Sequence, residues 1–417
     1  DSDDDTPIAQ SSKFRSIQSH HSQPQSQPTQ PQTEPVFVIT VDDPQRVGDP
    51  IRAYTMYTVH TNTTSSAFPK SSFSVLRRYS DFLWLYDTLS SNNPGIIVPP
   101  VPEKNPFGRF DDGFVQQRRR ELQKCVQKIA NHPVLVKDAD FESFLYSDSF
   151  ALDIKHRKAE SAHERGGLMA SIGQTLTGPR FYETDEWFDK QKTYLDGLES
   201  QLRGLVKAID TVAKQRVELS TATGEFAAAL SELAAAAQSA AQTHAALNAL
   251  ADVARTAEAV QSAQAQLDVG GLMSTADEYS RLVNSVRLAF AARIRTYTAW
   301  QNADADARRV RARGAGGAGY NDRNGSGFNE RSGGGGGGGA DRRALDAKHA
   351  FDTATRRIKA ELGRFEAERV EDFKRALAAL LAGMIRGQGE VIAAWERYQG
   401  LLLKPSSASS LGAGVVA

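Results

Sequence analysis

Cysteine, net charge and long apolar runs are what this chain has least of. Cys125 is the single cysteine among 417 residues. One thiol excludes an intramolecular disulfide framework and a thiolate zinc site, and it fits a reducing compartment. Lysine plus arginine number 50, and so do aspartate plus glutamate. With no global basic excess, nothing draws the whole chain onto nucleic acid, and anion binding has to come from local patches. No stretch approaches the roughly 20 consecutive apolar residues that span a bilayer, and no basic-then-apolar leader opens the chain. A membrane, if met, is met peripherally from the cytosolic side. The chain starts at Asp1, and its natural N-terminus is expected to lie upstream. Spaced His/acid metal sets, nucleophile elbows and phosphate loops are also lacking, so no enzyme activity, metal or cofactor is expected. Gly314-Ala315-Gly316-Gly317-Ala318-Gly319 spells G-x-G-x-x-G. Without a strand before it or a helix after it, it is rejected as a nucleotide site.

Residues 1–34 are mostly serine, glutamine, proline and acid, too poor in apolar surface to offset the entropy of ordering, so a disordered tail is expected. From Val36 the pattern changes. Val36–Val41, Ala53–His60 and Ser72–Leu76 read as three strands of an antiparallel meander. Phe82, Leu85, Tyr86 and Leu89 recur at helical spacing, so a helix is expected from about Ser80 to Asn92. At the hand-over from strand to helix stands Leu76-Arg77-Arg78-Tyr79-Ser80-Asp81-Phe82. Adjacent guanidinium forks beside an aromatic face suit a phosphorylated, ring-bearing ligand. Next come a proline-rich extended loop from Ile96 to Pro106, a helix from Phe114 to Ala130 and a short helix from Ala139 to Tyr146, closing a domain near residue 150. Pro99-x-x-Pro102 matches an SH3 ligand by its letters. His132, before Pro133, reads as the terminator of its helix, and Arg119 and Arg120 as solvated helix surface.

Residues 151–182 read as a linker in which Leu168, Met169, Ile172 and Leu176 share one face of an interfacial helix. Beyond Glu183 a heptad takes over. Phe188, Leu195, Leu202 and Ile209 form one seam, and Leu198, Leu205, Val212, Leu219, Phe226 and Leu233 a second. Arg216 and Thr223 fall on seam positions, where polar residues tune register or partner choice. A turn is expected within Ala234–Ala241, a second helix to about Arg313 kinked at Gly270-Gly271, a flexible glycine-rich loop over 314–340, and a third helix to Leu403. Residues 183–404 therefore form an elongated all-α unit, followed by a disordered tail over 405–417. Its tip carries Arg308, Arg309, Arg311 and Arg313 on one side of the glycine loop and Arg342, Arg343 and Lys348 on the other. Basic residues gain about 1 kcal/mol each near an anionic leaflet, which favours a membrane-facing tip.

The order of parts over residues 35–150 resembles a phox-homology (PX) domain. Arg77 to Phe82 looks like its signature, Val98 to Lys104 like its proline loop, and Arg118 with Asn131-His132-Pro133 like its second helix. The helical half resembles a BAR domain, with Glu186-Trp187-Phe188, Phe290 to Trp300 and Ala394-Trp395-Glu396 as landmarks. Together they resemble the retromer-associated PX-BAR sorting nexins, the group of fungal vacuolar-protein-sorting subunits and animal sorting nexins 1 and 2. The resemblance implies an α+β PX domain with a three-stranded antiparallel sheet, followed by a BAR domain of three long coiled-coil helices. It implies that Arg78 pairs with the 3-phosphate of an inositol lipid, Tyr79 lies against the ring, Lys104 reaches the 1-phosphate and Arg118 holds the 4- and 5-hydroxyls. It also implies an endosomal membrane, a homodimer or a heterodimer with a related sorting nexin, and retromer cargo-binding subunits as partners, with membrane tubulation and endosome-to-Golgi transport as the outcome. The glycine-rich tip departs from the family pattern. A rival expectation is a coiled-coil scaffold that recruits SH3 proteins through Pro99 and Pro102.

Overall fold

The computed structural model describes residues 36–49, 53–104, 110–157, 181–316 and 336–403. Strands β1 (Phe37–Val47), β2 (Tyr54–Thr63) and β3 (Ser72–Arg78) form an antiparallel sheet in the order β1-β2-β3. Alternation puts Ile39, Val41, Tyr57, Val59 and Val75 inward, against Phe82, Leu85 and Leu89 of α1 (Tyr79–Asn92) and Leu122, Val126 and Ile129 of α2 (Asp112–Ala130). Helix α3 (Ala139–Tyr146) and α4 (150–157) close this core through Phe141, Phe144 and Phe150.

Two arginines take structural duties here. Arg77 is buried: its Nε donates to the Phe144 carbonyl at 2.9 Å, its Nη2 to Ser147 at 2.6 Å and its Nη1 to Leu76 at 2.8 Å, with Phe150 under its plane at 4.4 Å. It thus collects carbonyls at the C-terminal end of α3, where a helix leaves acceptors unsatisfied. Its role is therefore structural pairing. Arg119 corrects the expectation of a solvated surface residue. Its Nη1 donates to the Val41 carbonyl at 2.8 Å and to Asp42 at 2.9 Å, while Gln127 Oε1 accepts from Ile39 N at 2.8 Å and Gln123 Oε1 from Val41 N at 3.1 Å. Side chains of α2 therefore satisfy the outer edge of β1, which would otherwise be a template for another strand. Arg120 is exposed as expected.

The second half is a bundle of long helices: α5 (Glu186–Ala236), α6 (Ala241–Leu267), α7 (Ser274–Gly316) and α8 (Gly336–Leu402). The alanine-rich turn falls at residues 237–240, inside the expected window. Where a kink was expected the structure has a π-helical turn, Asp268–Met273, containing Gly270 and Gly271, through which α6 and α7 run on without a break. Arg216, read as a register device, pairs with Asp268 of that turn at 2.8 Å. Helix α7 continues to Gly316 and α8 begins at Gly336, so both ends of the expected glycine loop are helical.

The two heptad seams part company in space. Phe188, Leu195, Leu202 and Ile209 are buried, and the first three pack on Tyr279, Val283, Val286, Ile358 and Leu362. In the second seam Leu198 is buried, but Leu205, Val212, Leu219, Phe226 and Leu233 are exposed. So are Leu377, Leu381, Met384, Ile385, Ile392 and Trp395 of α8. Among the described residues one helix, Gly338–Leu402, is long and apolar enough to cross a membrane by length and composition, with 6% of its most apolar window buried.

The α+β core is docked on the bundle by a stripe of α2 and the residues after α1. Lys124 and Lys128 lie four residues apart on one face of α2, and His132 follows just past its C-terminal end. Lys124 pairs with Glu278, Lys128 with Glu278 at 2.6 Å and Asp372 at 2.7 Å, and His132 Nε2 with both oxygens of Glu361 at 3.2 Å. His132 is thus more than a helix terminator. Its Nδ1 accepts from Val134 N and Leu135 N, which leaves Nε2 to donate across the junction. Ile97 N donates to the same Glu361 carboxylate, and the Ile97 side chain sits in the bundle core. Burying such a side chain contributes about 1.5–3 kcal/mol. Gly95 permits this approach: its φ is +90°, and a Cβ there would lie 3.0 Å from the Ala354 carbonyl oxygen.

Candidate functional site

Helix α1 starts immediately after Arg78, so the residue that caps it also carries the first candidate ligand. Asp81 accepts from Arg78 N at 3.0 Å and pairs with its Nε at 3.3 Å, which holds the half-exposed Arg78 side chain beside the helix start. Its guanidinium lies 5.8 Å from the Tyr54 ring centroid. Tyr79 Oη donates to the Pro102 carbonyl at 2.7 Å, fixing the ring against the proline loop, and burial pushes its phenol up although nearby Arg118 opposes this.

Arg118 reaches the same place from α2. Its guanidinium stacks 4.5 Å from the Tyr79 centroid and 4.2 Å from that of Phe114, and its Nη2 donates to the Glu103 carbonyl at 3.2 Å. It is 8% exposed, and burial lowers its pKa. Its Nε has no hydrogen-bond partner among the described residues. Arg118 and the exposed Lys104 line one cavity of about 330 Å³ with Pro102, Glu103, Phe114, Gln117, Glu121 and Asp277. Of the four predicted lipid ligands, Tyr79 and Arg118 touch, and Lys104 shares Arg118's cavity. Arg78 stands next to Tyr79 in the chain, with its guanidinium turned to Asp81 and Tyr54.

Chemically this is a recess with an aromatic floor, two cations and a buried donor to spare, able to take a phosphate at its rim and hydroxyls deeper in. The proline loop is a wall of it rather than a ligand for others. Pro99 and Pro102 are buried, and their carbonyls accept from Cys125 Sγ and Tyr79 Oη. That removes the SH3 reading. Burial also pushes the Cys125 thiol up to about 12, so it stays a protonated core residue.

Family comparison agrees with this layout. Residues 65–148 match the PX domain model and residues 162–400 the model described as Vps5 C terminal like. The chain belongs to the sorting nexins of the PX and Vps5 type. It is 30% identical over 377 residues to vacuolar protein sorting-associated protein vps5 of Schizosaccharomyces pombe, covering 87% of this chain and 65% of that protein. It is likewise 30% identical to sorting nexin-2 of Bos taurus, covering 86% of this chain and 71% of that one. A cryo-EM structure of the SNX-BAR Mvp1 tetramer superposes with a TM-score of 0.58 at 14% identity, covering 87% of this chain and 99% of that chain, which shows a shared fold. This sorting nexin therefore spans about two-thirds of the length of its fission-yeast relative.

The remaining expected sites of this sorting nexin fare differently. Leu168, Met169, Ile172 and Leu176 lie outside the described residues. At the tip, Arg308 pairs with Asp304 at 2.5 Å, Arg309 with Asp306 at 3.2 Å and Arg311 with Asp341 at 2.6 Å, while Lys348 lies 5.8 Å from the Trp300 centroid. Arg313, Arg342 and Arg343 have no ion pair among the described residues. The tip is basic, but less so than its arginine count suggests. Sequence reasoning missed Phe114 as the second ring on Arg118 and Asp277, which reaches the cavity from α7. A four-residue interval between Phe114 and Arg118 was the signal available for the first; none existed for the second.

Proposed function

We propose that this sorting nexin is a non-enzymatic, peripheral membrane protein that reads a 3-phosphorylated inositol lipid and imposes curvature as a dimer. The observation that carries the lipid reading is that Arg118, stacked on Tyr79, shares one recess with Lys104, while Arg78 adjoins Tyr79 in the chain. In this reading Arg78 takes the 3-phosphate, Tyr79 faces the ring, Lys104 takes the 1-phosphate and Arg118 the ring hydroxyls. The exposed seam of α5 and the apolar face of α8 support dimerisation, with a second copy or a related sorting nexin as partner. Their heptad spacing, interrupted by Arg386, Glu390 and Glu396, suits a helix–helix interface better than a bilayer span.

Two recesses and two basic tips on one rigid dimer raise avidity by roughly 10²–10⁴ over a single site. That favours curved endosomal membrane over flat and supports a coat role in retromer-linked endosome-to-Golgi transport, with the retromer cargo-binding subunits as partners. Liposome flotation tests the lipid reading. Arg78→Ala is expected to weaken binding to vesicles carrying phosphatidylinositol 3-phosphate about tenfold or more, the loss of a charge-assisted phosphate contact. Equal binding by wild type and variant sinks it.

A further inference from the structure

The proline loop is the wall of the recess that carries Lys104, and an extended proline segment has no ladder to hold it in place. Its carbonyls are taken one by one by side chains instead. Cys125 Sγ donates to Pro99 at 3.4 Å, Tyr79 Oη to Pro102 at 2.7 Å and Arg118 Nη2 to Glu103 at 3.2 Å. The Val101 carbonyl accepts from Arg281 Nη1 at 2.9 Å. Of these four donors Arg281 alone comes from the bundle, from α7. Its side chain is almost wholly buried there. Pro99, Pro100 and Pro102 stiffen the segment, so a pin at Val101 sets where Lys104, three residues on, stands.

Arg281 has a second duty in the same wall. It pairs with Asp277 at 3.0 Å and lies 3.8 Å from Glu121, and both acids line the recess. Without that guanidinium the two carboxylates would face an anionic headgroup uncompensated, and like charges at such range repel. We infer that Arg281 is a positioning residue for the headgroup site: from the bundle it holds the loop that bears Lys104 and offsets the acids beside Arg118, so lipid affinity depends on a side chain outside the PX half. This rests on the lipid reading above and extends it. By linkage the dependence runs both ways: a headgroup in the recess must strengthen the docking of the PX half on the bundle.

Calorimetric titration of the full chain with a soluble, short-chain phosphatidylinositol 3-phosphate measures one recess without avidity. Arg281→Ala is expected to weaken binding about tenfold, the scale of one charge-assisted hydrogen bond. Arg281→Lys, which keeps the charge and a donor, is expected to recover most of that loss. Tyr86→Phe separates positioning from docking in general. Tyr86 Oη meets Ser285 Oγ of α7 at 3.0 Å, a buried contact of the same junction that binds no carbonyl of the loop. While the docked state predominates, losing it leaves affinity within about twofold of wild type. In the unmutated protein, saturating headgroup is expected to slow amide exchange at residues 132–137, across the junction from the recess, by about tenfold. That measurement needs no variant to fold. Wild-type affinity in Arg281→Ala overturns the inference, as does an equal loss in Tyr86→Phe or exchange at 132–137 that ignores the headgroup. If wild type does not bind this lipid at all, the lipid reading itself fails, an outcome seen before any variant is made.

Discussion

Phe226→Glu is expected to convert the protein from a dimer to a monomer in sedimentation equilibrium at micromolar concentration. Phe226 is 54% exposed in the single chain, in line with Val212, Leu219 and Leu233 at seven-residue spacing. An exposed apolar row of that length is not how a lone helix persists in water. Across a two-fold axis each substitution acts twice. Losing about 2 kcal/mol of burial per copy weakens association by about 10³-fold, before the added penalty of an unpaired charge. Because the side chain packs little within its own chain, the monomer is expected to keep its helicity by circular dichroism. Ile385→Glu, on the face of α8 where Ile385 is 73% exposed, is expected to act the same way. Tubulation of vesicles, scored by electron microscopy, should fall with dimerisation while headgroup binding by the single recess persists. Dimers that survive both substitutions would remove the seam from the interface.

Glu361→Ala is expected to cost about 1–3 kcal/mol and to loosen the PX half from the bundle, because it leaves Ile97 N and His132 Nε2 without their buried acceptor. Glu361 accepts from Ile97 N, faces His132 Nε2 on both oxygens and pairs with Arg364 at 2.8 Å. Burial alone would raise its pKa, but the hydrogen bonds from His132 and Arg364 outweigh it and hold the carboxyl at about 2. A carboxylate depressed in the folded state contributes stability that is fully present above its ordinary pKa of about 4.5 and is lost as pH falls through about 2. The docked state is therefore expected to weaken between about pH 4.5 and 2, by at most about 3 kcal/mol from this group. In Glu361→Gln that part of the acid dependence should vanish. Hydrogen exchange at residues 95–104 and 132–137 reads the junction directly, and unchanged protection there in Glu361→Ala would refute the clasp.

Much of the fold was legible because it rests on local periodicity. The strand alternation around Val41 and Val59, the helix entry after Arg78 and the seven-residue spacing from Phe188 are properties of neighbouring residues, and the structure has all three. At Gly270-Gly271 the α-helical ladder does give way, to a π turn, since two glycines in a long helix weaken it locally. The candidate site was legible only in outline. Tyr79 and Arg118 are 39 positions apart, and their contact depends on how α2 lies across the sheet. His132 looked like punctuation because nothing near it in the chain announces Glu361, 229 residues later.

The sequence by itself determined the two kinds of architecture, the long helices and the cations available for an anionic ligand, because composition and spacing govern burial within one element. Only the tertiary structure decided what each charged or apolar residue is for. It put Arg77 under α3 and Arg119 on the edge of β1, sent one heptad seam inward and left most of the other exposed, and brought Asp277 of the bundle to the recess of the PX half. The reason is physical. An arginine or a leucine carries the same chemistry at a surface, in a core or at an interface, and its role is set by the groups that folding brings within a few ångströms of it, most of them distant in the chain.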